Sequence, residues 1–184
     1  APEVLIHDAQ RHGIDLLPPD IQRSDWRYTI EGLTLRTGLC AVTGLGEAGW
    51  QRLNAARTQQ PFQSLPDFCR RTHLPTAVVT TLIRAGALDG WGERRQLLWQ
   101  LGTIDDTADA LGLSLPTLKV DLPELAALEQ TAWEYELLGL SAQGQVMIHY
   151  RPALRQAGVL STWQVKEAKP GQRVLVAGMV VVRQ

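Results

Sequence analysis

The residues of this chain best placed to do chemistry are Thr43-Gly44-Leu45-Gly46, set between Gly38-Leu39-Cys40-Ala41-Val42 and Glu47-Ala48-Gly49-Trp50-Gln51-Arg52. Leu39, Val42, Leu45, Trp50 and Leu53 are spaced as the apolar faces of two short helices joined by a Gly-Leu-Gly turn. The chemistry such a turn offers is anion binding by the backbone. Glycine lets the chain bend tightly and approach a ligand that a Cβ would hold off. The first N–H groups of the following helix then face outward, with the positive end of the helix dipole behind them. A phosphate suits that arrangement and is gripped without any reading of base sequence. The same pattern also fits a plain αα-hairpin whose glycines serve only as cap and turn.

Other candidate sites are weaker. Asp105, Asp106 and Asp109 form the one tempting acidic cluster, but two-metal chemistry needs rigidly held carboxylates, and this stretch reads as helix-start capping. His7, His12, His73 and His149 share no metal-ligand spacing, so no metal site is expected. Gly139-Leu140-Ser141-Ala142-Gln143-Gly144 is one residue too long for a nucleophile elbow and follows no strand. Gln63-Ser64-Leu65-Pro66-Asp67-Phe68 has a faint likeness to a clamp-docking peptide, yet Leu65 and Phe68 fit a helix core better. Arg52, Arg57, Arg70, Arg71, Arg84, Arg94 and Arg95 offer either a basic face beside the hairpins or an ordinary solvated surface.

The elements that must position these residues are mainly helical. Helical spacing of Val4, Leu5, Ala9 and His12 predicts a first helix over 2–12, stopped at Gly13. Ile14 to Leu17 is extended, Pro18-Pro19 forbids a helix, and 26–30 with 33–36 form a small hairpin around Glu31-Gly32. The second helix of the glycine hairpin runs to about Arg57. Another helical pair follows, 65–71 and 76–85, turning at His73-Leu74-Pro75, and then a helix over 94–101. Asp121, Pro123 and Glu124 predict a helix start, with Leu125, Leu128, Ala132, Tyr135 and Leu138 striping one face up to Gly139. A short helix over 152–156 precedes a valine-rich strand over 173–183 that is apolar on both faces and belongs in a covered sheet.

Composition narrows the class. Of 184 residues 45% are apolar and 20% charged, with six Trp, which is the composition of a folded globular protein. A net charge of −1 excludes a strongly basic nucleic-acid binder, so any DNA contact must come from a local patch. Cys40 and Cys69 stand alone, which argues against a disulfide framework and for a reducing cytoplasm. No apolar run approaches the ~20 residues of a membrane span. The chain opens at Ala1-Pro2-Glu3-Val4 without a Met, as expected of a piece of a longer protein.

One order of motifs goes further. His12-Gly13-Ile14, Pro18-Pro19-Asp20-Ile21, Ser24, Arg36-Thr37-Gly38-Leu39 and Gly44-Leu45-Gly46 are followed by Pro61-Phe62, Leu65 and Asp67-Phe68-Cys69-Arg70-Arg71. Then come Leu82-Ile83-Arg84-Ala85-Gly86-Ala87-Leu88-Asp89, Arg94-Arg95, Glu134, Leu138-Gly139-Leu140 and Val176-Ala177-Gly178. This series resembles the bacterial C-family DNA polymerases (DNA polymerase III alpha subunits), from the end of the fingers through a tandem helix-hairpin-helix region to the first strand of an OB domain. The short spacer after Arg95 and the run from Val176 to Gln184 are similar to the error-prone, damage-tolerance branch. The resemblance implies segments 1–36 (fingers-like), 37–101 (tandem helix-hairpin-helix), 102–120 (linker), 121–160 (helical connector) and 161–184 (start of the OB-like domain). It departs at Thr43, where the family often has Lys, and at Gly144-Gln145-Val146, where Gly-His-Pro is common.

The resulting expectation is a mainly α module that grips duplex template-primer DNA through Thr43, Gly44, Leu45, Gly46, Arg52, Arg57, His73 and Leu74. It carries no cofactor of its own, the Mg of the parent polymerase being held by a palm domain that nothing here matches. The alternative is a protein-interaction module docking a sliding clamp or a translesion accessory protein. A tandem-hairpin accessory domain of a repair nuclease is a third reading, opposed by the OB-like strand. Because no rigid carboxylate pair is evident, the purified chain should extend no primer with Mg and all four nucleotides; measurable extension would refute this.

Overall fold

The computed structural model describes residues 2–104, 120, 122–139, 141–142 and 146–179. Two compact units divide the chain, 1–143 and 144–184. The fold is mainly α, with small sheets.

In the first unit, helix α1 (Pro2–Arg11) leads into strand β1 (Asp15–Leu17). Gly13, at φ +81°, makes the stop that only glycine makes cheaply. Ile6 turns to the core while Leu5 is exposed, so the inward face is one residue on from the Leu5 face expected. Strands β2 (Thr29–Glu31) and β3 (Thr34–Arg36) pair antiparallel, with Glu31 opposite Thr34, and β1 lies parallel on the other side of β3. The two-residue turn places Gly32 at φ +63°, in the first central position, where a hairpin of this length needs positive φ.

This sheet anchors the approach to the glycine hairpin. Fully buried Ser24 donates to the Thr37 carbonyl at 2.8 Å, and Thr37 Oγ1 donates to the Leu17 carbonyl at 2.8 Å. Gly38 lies so close to the segment ahead of β2 that a Cβ would fall 2.4 Å from the Arg27 carbonyl carbon. Helices α2 (Gly46–Gln59), α3 (Leu65–Thr72), α4 (Thr76–Arg84) and α5 (Arg94–Thr103) follow. Their core is Leu45, Leu53, Phe68, Val79, Leu82, Ile83 and Leu97, on the faces that the periodicity selects. Phe62 meets Phe68 edge-on at 5.0 Å. Of the linker expected over 102–120, residues 105–119, including Asp105, Asp106 and Asp109, lie outside the described residues.

Helix α6 (Ala127–Leu138) starts later than the sequence suggests. Asp121 lies outside the described residues, and Pro123 sits in non-helical chain ahead of the N-cap Ala126. Its buried face is also different: Thr131, Glu134 and Leu138 turn inward, while Leu128 and Ala132 are exposed. The reason is an ion pair. Arg94, 3% exposed, donates to Glu134, 2% exposed, at 2.9 Å. It also forks onto Asp89 at 2.9 and 2.8 Å and reaches the Arg84 carbonyl at 3.0 Å. Ser141 Oγ donates to the second Glu134 oxygen at 2.6 Å. Burial works against the Arg94 charge, but Asp89 and then Glu134 outweigh it and raise its pKa.

In the second unit, α7 (Met147–Gln156) carries Pro152 inside it, whereas the sequence suggested a helix beginning there. Strand β4 (Val159–Leu160), α8 (Thr162–Glu167) and β5 (Leu175–Val176) follow. Ser161 and Gln164 close a capping box on α8, at 3.3 and 2.9 Å. In place of the long strand expected over 173–183, β5 is a two-residue strand parallel to β4, with Leu175 and Val176 largely exposed. Residues 180–184 lie outside the described residues.

Removing Glu134 takes from the buried Arg94 its only buried carboxylate and leaves it the solvated Asp89. Glu134→Leu should lose about 3 kcal/mol in urea melts. Adding Arg94→Met should recover most of it, since Asp89 is solvated enough to stand alone; a double variant as unstable as the single one would count against this account.

Candidate nucleic-acid interface

The glycine hairpin is assembled from a short 3-10 turn (Leu39–Ala41) and α2. Leu39, Val42, Leu45 and Leu53 are buried, so the apolar half of the motif points into the core. Gly44 and Gly46 sit at φ +85° and +62°, with nothing within 4 Å of an added Cβ. Both therefore face open space, and their left-handed backbone is what makes the turn. The Leu45 N–H is taken by the Val42 carbonyl at 3.3 Å. No side chain caps the start of α2, so its leading N–H groups lack a side-chain acceptor.

The second hairpin solves the same turn without glycine. His73, the C-cap of α3, adopts φ +48°, ψ +36°, a conformation that His tolerates better than most residues. Leu74 is buried and Pro75 leads into α4, again with no side-chain cap. The two hairpins meet at Gly49 of α2. A Cβ there would lie 3.0 Å from Leu45 Cδ1 and 3.3 Å from Leu74 Cδ2. Two loop leucines thus converge on one glycine, and the turns that carry them lie side by side. The sequence reading passed over Gly49, whose only signal is a glycine one turn into a helix that starts with another.

The remaining residues of the expected site play different parts. Thr43 Oγ1 donates to the Leu137 carbonyl at 2.9 Å, which pins the glycine turn to the end of α6. Arg52 Nη1 donates to the His73 carbonyl at 3.0 Å and ties α2 to the second turn. Arg57 is committed inward, to Ile21 and Ser24 carbonyls at 3.2 and 2.7 Å. Burial lowers its pKa, although Asp25 and Asp20 oppose that.

The broad arginine face divides in the same way. Arg94 is buried, Arg84 pairs with Glu136 at 2.7 Å over the Trp133 ring, and Arg95 pairs with Glu129 at 2.7 Å. Arg71 bonds Asp67 at 3.1 Å, the Gln60 carbonyl at 2.6 Å and the Ala56 carbonyl. Arg52 and Arg70 keep their guanidiniums in solvent. In the segment that resembles a clamp-docking peptide, Leu65 and Phe68 are core residues within α3. Among the described residues no group of His, Cys, Asp and Glu is placed to hold a metal, and no helix is long and apolar enough to cross a membrane.

Two apposed hairpins of this form define a helix-hairpin-helix module, and a family model described as a helix-hairpin-helix motif matches residues 13–98. The whole chain aligns with proteins named error-prone DNA polymerase. It is 34% identical over 186 positions to that of Corynebacterium glutamicum, and 32% identical over 199 and 197 positions to those of Anaeromyxobacter sp. (strain K) and Brucella suis biovar 1. These alignments cover 100% of this chain but 17–18% of each relative's length. The chain thus matches a segment of a C-family DNA polymerase of the error-prone kind.

Asp67 links the second hairpin's charges to pH. Burial pushes its carboxyl up, but the Gln63 N–H and the Arg71 and Arg70 guanidiniums outweigh this and hold it below the ordinary value. A depressed folded-state pKa stabilises above the unfolded value, about 4, and that gain is lost as pH falls through the folded one. Asp67→Asn should therefore cost about 1–2 kcal/mol at pH 7. In urea melts the gap to the parent should close as pH falls below the ordinary carboxylate range; a pH-independent gap would contradict it.

Proposed function

We propose that this chain is a DNA-binding region of an error-prone polymerase, which holds duplex template-primer by its phosphates while nucleotidyl transfer is performed elsewhere in the longer protein. The observation that carries this reading is the pair of uncapped helix starts, α2 and α4, set side by side by Leu45 and Leu74 over Gly49. Gly44 and Gly46 keep the first of them clear of side chains. Backbone donors make no base-specific contact, so the grip is independent of sequence. The modest free charge, centred on Arg52, makes it weak. The setting proposed is the bacterial cytoplasm, where Cys40 and Cys69 stay reduced.

A second reading, docking of a sliding clamp or a translesion accessory protein, is favoured by one feature. Ile30 on β2 and Leu33 in the β2–β3 turn are 80% and 92% exposed. Such a pair is more apolar than a solvated hairpin tip requires.

Fluorescence anisotropy with duplexes of unrelated sequence tests the first reading. Affinity should be alike across sequences, with a slope of log K against log salt of about −2 to −4 for two to four neutralised phosphates. Gly46→Ala should weaken binding about tenfold, whereas Gly32→Ala, equally strained and equally open, should not. Equal affinity for both variants would make the glycine turn purely structural. Loss of purified-clamp binding on changing Ile30 and Leu33 to Ser, in a chain that ignores duplex DNA, would establish the second reading instead.

A further inference from the structure

A hollow of about 290 Å³ opens between one face of α2 and the C-terminal end of α3. Arg52 and Gln59 stand at its α2 side, with Ala55 and Ala56 leaving the space between them empty; Arg71, Thr72 and His73 close the other side. Its lining holds two guanidiniums and no carboxylate.

Charge and donor supply both favour an anion there. The helix ends that border the hollow would ordinarily present bare carbonyls and repel one. Here three of those carbonyls, at Ala56, Gln60 and His73, are occupied. Arg71 covers Ala56 and Gln60, and Arg52 covers His73. Arg71 is held in place by Asp67 at 3.1 Å and by the Phe62 ring, whose centroid lies 4.8 Å away. Asp67 is shared between Arg70 and Arg71, so that corner carries two cations to one carboxylate. Arg52 makes no ion pair among the described residues, and only its Nη1 is engaged. The rest of its fork is free for two parallel bonds to an oxyanion. At about 30 Å³ per water, the hollow holds a phosphate group and the water that stays on it.

We infer that the α2–α3 groove is an oxyanion site that takes a phosphate group on the side chains of Arg52 and Gln59, in the field of Arg71. It deepens the DNA-binding reading by giving the glycine-free second hairpin a side-chain phosphate contact where the first hairpin uses backbone N–H groups. Its chemistry is also that of free phosphate, and the test separates the two sources.

Inorganic phosphate titrated into the ¹⁵N-labelled chain should give saturable amide shifts in 52–60 and 71–74. Arg52→Ala, its fold verified by the same spectra, should weaken that response at least tenfold; Gly46→Ala should leave it intact. With duplex DNA, Arg52→Ala should make the salt slope shallower by about one unit for every sequence tested. Shifts lost in Arg52→Ala with an unchanged slope would support a site for free phosphate rather than DNA. Shifts at the groove in a chain that fails to bind duplex would support the site and sink the broader DNA reading. An absence of saturable shifts there, or shifts that persist in Arg52→Ala, would overturn the inference even if duplex DNA binds.

Discussion

The buried Arg94–Glu134 pair, joined at its edge by the solvated Asp89, holds the first unit together. Taking these charges out of water costs several kcal/mol per ion, and attraction offsets that only when their donors and lone pairs are used. The geometry meets this demand: both Asp89 oxygens, the Arg84 carbonyl and both Glu134 oxygens are engaged, the last by Ser141. Gly86 belongs to the cluster, since a Cβ there would come 2.3 Å from Arg94 Nη2, and its φ of +85° excludes most other residues in any case. One guanidinium thereby joins the end of α4, the Asp89 turn, α5, α6 and the segment after it. The effect reaches the glycine hairpin, because the end of α6 supplies the Leu137 carbonyl to which Thr43 is pinned. A charged cluster in the core thus supports a turn whose outer face is bare backbone.

The same economy explains how a chain of net charge −1 presents a basic corner. Most of its arginines are structural, each bonded to a carboxylate or a carbonyl that the fold leaves without a partner. Arg57 closes the 21–24 loop, Arg36 binds Glu31 and the Pro18 carbonyl, and Arg94 and Arg95 hold α6. Arg52, which makes no ion pair among the described residues, and the half-exposed Arg70, which shares Asp67 with Arg71, both lie at the α2–α3 side. A uniform count of basic residues overstates the electrostatic footprint, and net charge alone understates it. What matters is which guanidiniums still have unspent N–H groups in solvent.

The elements built on local periodicity were legible in the sequence. Glycine stops, prolines and the apolar spacing of α2 to α5 all act within a few residues, and the structure places those helices where the pattern does. The α6 stripe failed for a definite reason. Reading Leu128, Ala132 and Tyr135 as the inner face assumes that burial follows hydrophobicity, whereas Glu134 is buried by a partner 40 residues away. The start of α6 failed because Asp121 and Glu124 imitate a capping box ahead of chain that stays non-helical up to Ala126. Within the candidate site, the Gly-Leu-Gly turn was legible and the inward commitment of Arg57 was not, since nothing local distinguishes Arg57 from Arg52. The Gly49 contact was equally hidden, because it exists only once two hairpins are folded together.

The two hairpins reach one geometry at different cost. Each must reverse the chain between helices, and each needs a residue with positive φ. Gly44 and Gly46 supply it without strain, while His73 supplies it with a Cβ and an imidazole in place. The glycine turn therefore keeps its outer surface flat, suited to close approach of backbone to phosphate. The histidine turn cannot be flat, so a ligand there must be met by side chains that reach past it. Arg52 is bonded to the carbonyl of that same histidine, which sets its guanidinium at the required height. A substitution that restores glycine at position 73 would relieve the backbone but remove the side chain that borders the α2–α3 groove. The two turns are thus not interchangeable copies, and the asymmetry lies in the chemistry each one presents.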